Sequence, residues 1–345
     1  MLFQLYGETC GWQLLGWLLV FLGLIITNEI ARTKLGGIGI FGVVLLGLSI
    51  YFIAIAIGAK NGAEWALKND TYVHMNSWFH YAKLYAAATG CIGFMVIKYK
   101  WGKLGKAKWF KCFPFVIVAI NILIAVASDF ESAIRAGSLA GGWWYSSEGV
   151  WLYGGWWNVL NGLAGIINIF CMTGWWSIYT SSDEKDMLWP DMIWVYILAY
   201  DVWNFEYTYL NLPTHAWYCG LALLLAPTFA NALWNKGGWI QNRANTLAIW
   251  CMFAQVFPLF QDNSRFSVVP VLYKEGTIQA ATAAGVTPVI GNVHMQGVIA
   301  VLALIINVVA LGFIIKKSVA AKKNPYKYDV FTDTPDYKEA MSRAQ

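Results

Sequence analysis

Runs of about 18–25 mostly apolar residues, each long enough as a helix to cross about 30 Å of hydrocarbon, recur from one end of this chain to the other. They predict nine helices at roughly 12–31, 36–58, 77–97, 112–128, 156–179, 189–211, 216–235, 240–260 and 296–315. Composition agrees: of 345 residues, 58% are hydrophobic and 12% charged, with 20 Trp and 18 Tyr, a balance that soluble domains of this size do not reach. No alternation of the outer-membrane barrel type competes, and backbone in lipid has few other options. The expected fold class is all-α, a polytopic transmembrane bundle of about nine helices. It forms one domain over residues 1–315, with a polar cytoplasmic tail over 316–345.

Most of the 24 Lys and Arg residues fall on one side if the amino terminus is outside. The inner loops then hold Arg32 and Lys34, the lysines from Lys98 to Lys111, Lys185, Lys236 and Arg243, and the tail from Lys316. Lys60, Lys68, Arg135, Arg265 and Lys274 are outside, and Lys83 lies inside the third helix. That bias places the carboxyl terminus inside and accounts for the net charge of +5 without a nucleic-acid partner. The opening "MLFQLYGETC" has no basic n-region and no small-residue cleavage site, so the first helix is expected to stay as an uncleaved anchor.

The connecting segments are too short for a soluble catalytic domain. Residues 98–111 mix lysines with Trp101 and Trp109, a pattern suited to an anionic headgroup layer. Residues 141–157, "GGWWYSSEGVWLYGGWW", read as an interfacial hairpin or short helix, or as an aromatic platform for a ligand. The tail is expected to be flexible or surface-bound.

Polar stripes mark the helix faces that look inward. Asn158, Asn161, Gly165 and Asn168 share one face at 3–4–3 spacing. Asn121, Ala125, Ser128 and Ser132 do the same, with Asp129 and Glu131 at the outer end of that helix, and Gln296, Ala300, Ala303 and Asn307 repeat the device. Pro227 removes a backbone donor from the seventh helix, which predicts a kink. In the sixth, Asp201, Asn204, Thr208 and Asn211 define one polar face, and Glu206 lies about 140° round the helix and about 7–8 Å nearer the outer surface than Asp201. Intramembrane carboxylates mark ion, proton or substrate sites by default, and Lys83 is the cation at comparable depth to pair with Glu206. The candidate ion- or substrate-binding residues are therefore Asp201, Asn204, Glu206, Lys83, His215, Asn158, Asn161, Asn121 and Asp129.

His74, His80, His215 and His294 all fall in outer segments, without the spacing of a metal motif. The six cysteines have neither disulfide nor metal spacing and read as small packing residues. No haem-attachment, dinucleotide or phosphate-loop motif is present, no metal is assigned, and no cofactor is named by the sequence.

The stretch "WPDMIWVYILAYDVWNFEYTYLNLPTHAWYCGLALLLAPTFA" resembles a bacterial family of integral membrane proteins of unknown function. The similarity extends to "TNEIARTKLGGIG", "YAKLYAAATGCIGFMVIKY" and "AINILIAVASDFE". It implies a shared multi-helix fold in a bacterial cytoplasmic membrane and assigns no residue a role.

Three functions fit the sequence. The first is a transporter or ion pathway using the carboxylates of the sixth helix. The second is a receptor or scaffold subunit presenting the aromatic outer surface. The third is a membrane-embedded enzyme acting on a lipid-like substrate, with Glu206, Asp129 or Glu131 partnered by His215 or His80. The expected partners are membrane lipids and a small polar or cationic ligand, and a homo-oligomer is compatible with all three.

Overall fold

The computed structural model describes residues 2–3, 5, 8–138, 142–146, 151–268 and 293–344. Lys274 and the other residues from 269 to 292, most of the loop expected after the eighth helix, lie outside the described residues. Nine helical stretches match the apolar runs: α1 (Cys10–Arg32), α2 (Lys34–Lys60), α3 (Trp78–Lys98), α4 (Phe113–Ser138), α5 (Trp156–Phe170), α6 (Trp194–Asn211), α7 (Trp217–Leu233), α8 (Trp239–Val256) and α9 (Val293–Ala321). Short helices fall at Glu64–Leu67, Asp70–Met75 and Leu259–Asp262 in the connections, and a further helix, α10 (Pro335–Ser342), lies in the tail. Among the described residues, four helical stretches are long and apolar enough to cross a membrane: α1, α2, α4 with the short 3-10 turn before it, and α9. Their outward faces carry rows of exposed apolar side chains, such as Leu46, Ile50, Ile53 and Ile57 on α2.

Several boundaries differ from the apolar runs. α4 extends to Ser138 because its sequence has no Gly or Pro between Pro114 and Gly137. α5 stops at Phe170 rather than 179. The chain turns at Gly174 (φ +59°), where a Cβ would lie 2.5 Å from an Asp329 carboxylate oxygen, so only glycine fits. The following residues form a two-stranded ribbon, β3 (Tyr179–Thr180) against β4 (Met187–Leu188). A second hairpin pairs β1 (Trp143–Tyr145) with β2 (Trp151–Tyr153) in the Trp144↔Leu152 register. Trp143 and Trp144 are buried, Trp144 with Leu152 and Ala136 of α4, so these two rings face the protein rather than forming an open platform.

α4, α5, α6 and α9 pack as one group, and α1, α3, α7 and α8 as another, with α2 laid against α3. Gly165 lets α5 approach α6 and α4 closely: a Cβ there would fall 2.6 Å from Val126 Cγ2 and 2.7 Å from Trp203 Nε1.

The tail is docked, not loose. The Gly174 and Trp175 amides donate to the Pro325 and Tyr326 carbonyls. Asp191 accepts from the amides of Val330 (3.0 Å) and Phe331 (3.1 Å), and both of those side chains are buried. Arg343 reaches back to Asp186, the Lys236 carbonyl and Asn235. Of the two expectations for the tail, flexible or surface-bound, the structure shows the bound one: its few apolar residues, Val330, Phe331 and Tyr337, are buried, and the tail backbone bonds the loop between α5 and α6.

Candidate functional site

Where the two helix groups meet, at α6, a cavity of about 110 Å³ opens. α6 contributes Tyr200, Trp203, Asn204, Tyr207 and Thr208, and Trp250 and Phe79 complete the aromatic wall. The polar lining is dominated by two cations, Lys83 of α3 and Arg243 of α8. Arg243 Nη2 donates to Asn204 Oδ1 at 3.3 Å, and its guanidinium lies 5.8 Å from the Tyr200 ring centre. Its Nε and Nη1 are buried without a hydrogen-bond partner. The Lys83 ammonium sits over the rings of Phe79 (5.3 Å) and Tyr207 (5.4 Å). Among the described residues neither cation forms an ion pair. Asn204 and Tyr207 are three residues apart, which separates the cations by about one helical turn in depth.

At the hairpin end of the cavity, His215 Nε2 lies 2.7 Å from Asp262 Oδ1, and His80 and Gln261 also line the space. Burial by itself would raise the Asp262 carboxyl, but His215, with His74 and His80 near it, holds it below the usual range. His294 borders a different pocket beside Trp156 and Trp157.

The sequence-derived site divides in two. Lys83, Asn204, His215 and Asn121 line the cavity; the Asn121 amide donates to the Ile117 carbonyl at 2.9 Å and its oxygen is unpartnered. Asp201 instead accepts from Thr228 Oγ1 (2.7 Å), which in turn accepts from Trp239 Nε1 (2.9 Å), so one arm of the expected polar face is turned toward α7 and α8. Asp129, Asn158, Asn161 and Asn211 form a separate buried cluster. Asp129 accepts from Asn211 (2.6 Å), Asn161 (2.8 Å) and Asn158 (3.5 Å), and Ser132 donates to Asn211 Oδ1. The expected Glu206–Lys83 pair does not form. Glu206 is fully buried on the opposite side of α6 and has no hydrogen-bond partner among the described residues. The depths match, but the two side chains point to opposite sides of α6.

Arg243 is the residue that sequence reasoning missed, having been counted among the inner loop cations. It is buried within the first turns of α8, in the polar run Gln241, Asn242, Arg243, Asn245 and Thr246, all of them buried. Consecutive polar residues inside a helix boundary were the available signal. Two of the other inner cations have structural partners: Arg32 forms a bidentate pair with Asp186 (2.7 Å each), and Lys98 donates to the Arg32 and Lys185 carbonyls. All six cysteines are free, and no group of three or more His, Cys, Asp or Glu among the described residues is disposed to hold a metal ion.

These features define a class: a helical protein with apolar outer faces and a buried, aromatic-walled, cationic cavity. The chain matches the family described as "Family of unknown function (DUF5692)" over residues 7–343, and it belongs to that family. No curated protein and no solved structure matches it.

Proposed function

We propose that this is a multi-pass membrane transporter whose central cavity takes a small organic anion with an apolar or aromatic body. In this reading all nine helices cross a bacterial cytoplasmic membrane, with the β1–β2 hairpin outside and the docked tail inside. The apolar outer faces of α1, α2 and α9 support the membrane setting, and the lysines between α3 and α4 support the orientation.

The observation that carries the proposal is the pair of buried, ion-unpaired cations, Lys83 and Arg243, facing one cavity. An uncompensated buried charge costs several kcal/mol, and an anion that reaches both would recover that energy as affinity. Arg243 has two nitrogens, Nε and Nη1, without a protein partner, each able to donate to an anion, while Tyr200, Trp203 and Trp250 offer flat apolar contact. The charge of the cavity favours an anion over the cationic ligand that the α6 carboxylates led one to expect.

Titration of tryptophan fluorescence in nanodiscs, with benzoate against benzylamine, tests the charge preference. Benzoate is expected to give a saturable change that benzylamine does not, and Arg243→Gln or Lys83→Met is expected to abolish it. An equal response to benzylamine would overturn the assignment. Benzoate flux in proteoliposomes then separates a transporter from a receptor that binds the same anion without moving it.

A further inference from the structure

Beyond Arg243, on the side of the tail, lies a second and smaller chamber of about 40 Å³. Asn121, Tyr200, Arg243 and Leu247 line both it and the central cavity. The rest of its wall is small or apolar, with Gly90, Phe94 and Ala244 among the contributors. The chamber ends at Trp239 and Ile240, the first two residues of α8, both buried. Trp239 packs edge-on against Tyr200, with 5.1 Å between ring centres, and donates to Thr228 of α7 (2.9 Å). The α7–α8 turn, residues 234–238, therefore leads directly into the side chain that closes the chamber.

The tail holds that turn. Gly237 has φ +82°, and a Cβ there would fall 2.6 Å from Ala340 Cβ of α10, so the turn presses on the tail helix. Arg343 donates to the Lys236 carbonyl (2.6 Å) and to Asn235 (3.3 Å), and Lys236 pairs with Asp336 (3.3 Å). The same stretch of tail is tied to the α5–α6 loop: Asp186 accepts from Arg343, the Ser182 amide donates to the Arg343 carbonyl, and Ser181 pairs with Ala344 in an antiparallel bridge. Both Asp186 oxygens keep their bonds to Arg32 when Arg343 leaves, so the tail can part without leaving a buried carboxylate unpaired. Surface contacts of this kind open locally while the core stays folded.

We propose that the end of the tail, from Asp336 to Ala344, is a latch: it holds the small chamber shut, and its release frees the α7–α8 turn and Trp239 to open a path from Arg243 to the inner face. Its part in moving an anion rests on the function proposed above. The central cavity extends to His80, His215 and Gln261 at the hairpin end. The latched chamber is the barrier on the opposite side of Arg243, and alternating access needs a barrier that opens on each side of the site.

Methanethiosulfonate labelling of Ala244→Cys, in the full-length protein in nanodiscs, without any organic anion and read at that residue by mass spectrometry, tests the latch. Ala244 lines the small chamber. Labelling is expected to be slow with the tail intact and at least about tenfold faster once Lys236→Ala and Arg343→Ala are added, with benzoate affinity unchanged. Equal rates would overturn the proposal. Should that variant not fold, a cross-link decides. The Ser182–Arg343 bond makes Ser181 and Ala344 a narrow antiparallel pair, whose spacing suits a disulfide. Oxidation of the protein carrying Ser181→Cys and Ala344→Cys is expected to stop benzoate flux in proteoliposomes, with reduction restoring it and benzoate binding intact throughout. Flux undiminished by the cross-link, or absent before it, would overturn the latch. A labelling difference without benzoate binding removes only the anion reading, and benzoate binding without a labelling difference removes only the latch.

Discussion

Asp186 and Glu206 are both wholly buried, yet their surroundings are opposites. Asp186 accepts from Arg32 through both oxygens (2.7 Å each), from Gln241 (3.2 Å) and from Arg343. Glu206 accepts from nothing among the described residues. The two arginines repeat the contrast: Arg32 is saturated by Asp186 and Glu29, whereas Arg243 has one amide contact and two orphan nitrogens. The Asp186 network ties α1, the α5–α6 loop and the tail into one unit. A carboxylate or guanidinium whose partners are all protein atoms is a lock. One left incomplete at the same burial lowers stability, and binding sites are where proteins tolerate that.

The most direct way to break this comparison is to treat the two acids alike. Asp186→Ala leaves Arg32 buried without its main counter-charge and is expected to destabilise by about 3–5 kcal/mol, read as a large fall in thermal midpoint with faster proteolysis of the tail. A small effect would mean that the network is not a lock.

Asp191 tests the tail side through pH. Burial first, then the neighbouring Asp329, pushes its carboxyl up to about 7. Because the folded value is raised, its contribution is fullest below the ordinary carboxyl range and is lost as pH rises from about 4 toward about 7, with a ceiling of about 4 kcal/mol. Wild-type stability minus that of Asp191→Asn is therefore expected to be larger at about pH 5 than at about pH 7.5. A difference independent of pH would refute the account.

Glu206→Gln, by contrast, is expected to leave stability unchanged or raise it by about 1–2 kcal/mol, since it removes a buried acid that has no hydrogen-bond partner among the described residues. A fall comparable to that of Asp186→Ala would show that Glu206 has a structural partner.

Smallest is Asp262→Asn. The pair with His215 is partly exposed, so a loss of less than about 1 kcal/mol is expected at neutral pH. Its lowered folded value places the contribution above about pH 4, with loss as pH falls below that. Stability curves of wild type and variant should therefore converge in acid.

Much of this was legible beforehand, for reasons that can be named. The 3–4–3 stripes of α5 and α9 do face each other, as the Asn168–Asn307 bond shows, because helical periodicity fixes which residues share a face, whereas the α4 stripe is divided, Asn121 lining the cavity and Ser132 donating to Asn211 of α6. The polar face of α6 split among three neighbours, Asp201 toward Thr228, Asn204 toward Arg243 and Asn211 toward Asp129. Spacing says which residues share a face, but not how many helices surround it. Arg243 was assigned to a loop because a charge at a helix boundary looks the same in sequence whether it faces water or a cavity.

Read alone, the sequence determined the helical class and which residues share a face of each helix, both of which follow from local composition and a 3.6-residue period, while the family was legible only as a resemblance of whole stretches of sequence. Only the tertiary structure decided that Lys83 shares a cavity with Arg243 rather than pairing with Glu206, that Glu206 is buried without a hydrogen-bond partner among the described residues, and that the tail is pinned by Asp191 and Asp186. Those outcomes depend on the rotation of each helix about its axis and on contacts between residues more than a hundred positions apart, such as Arg32 with Asp186 and Phe331 with Asp191. No local pattern encodes them.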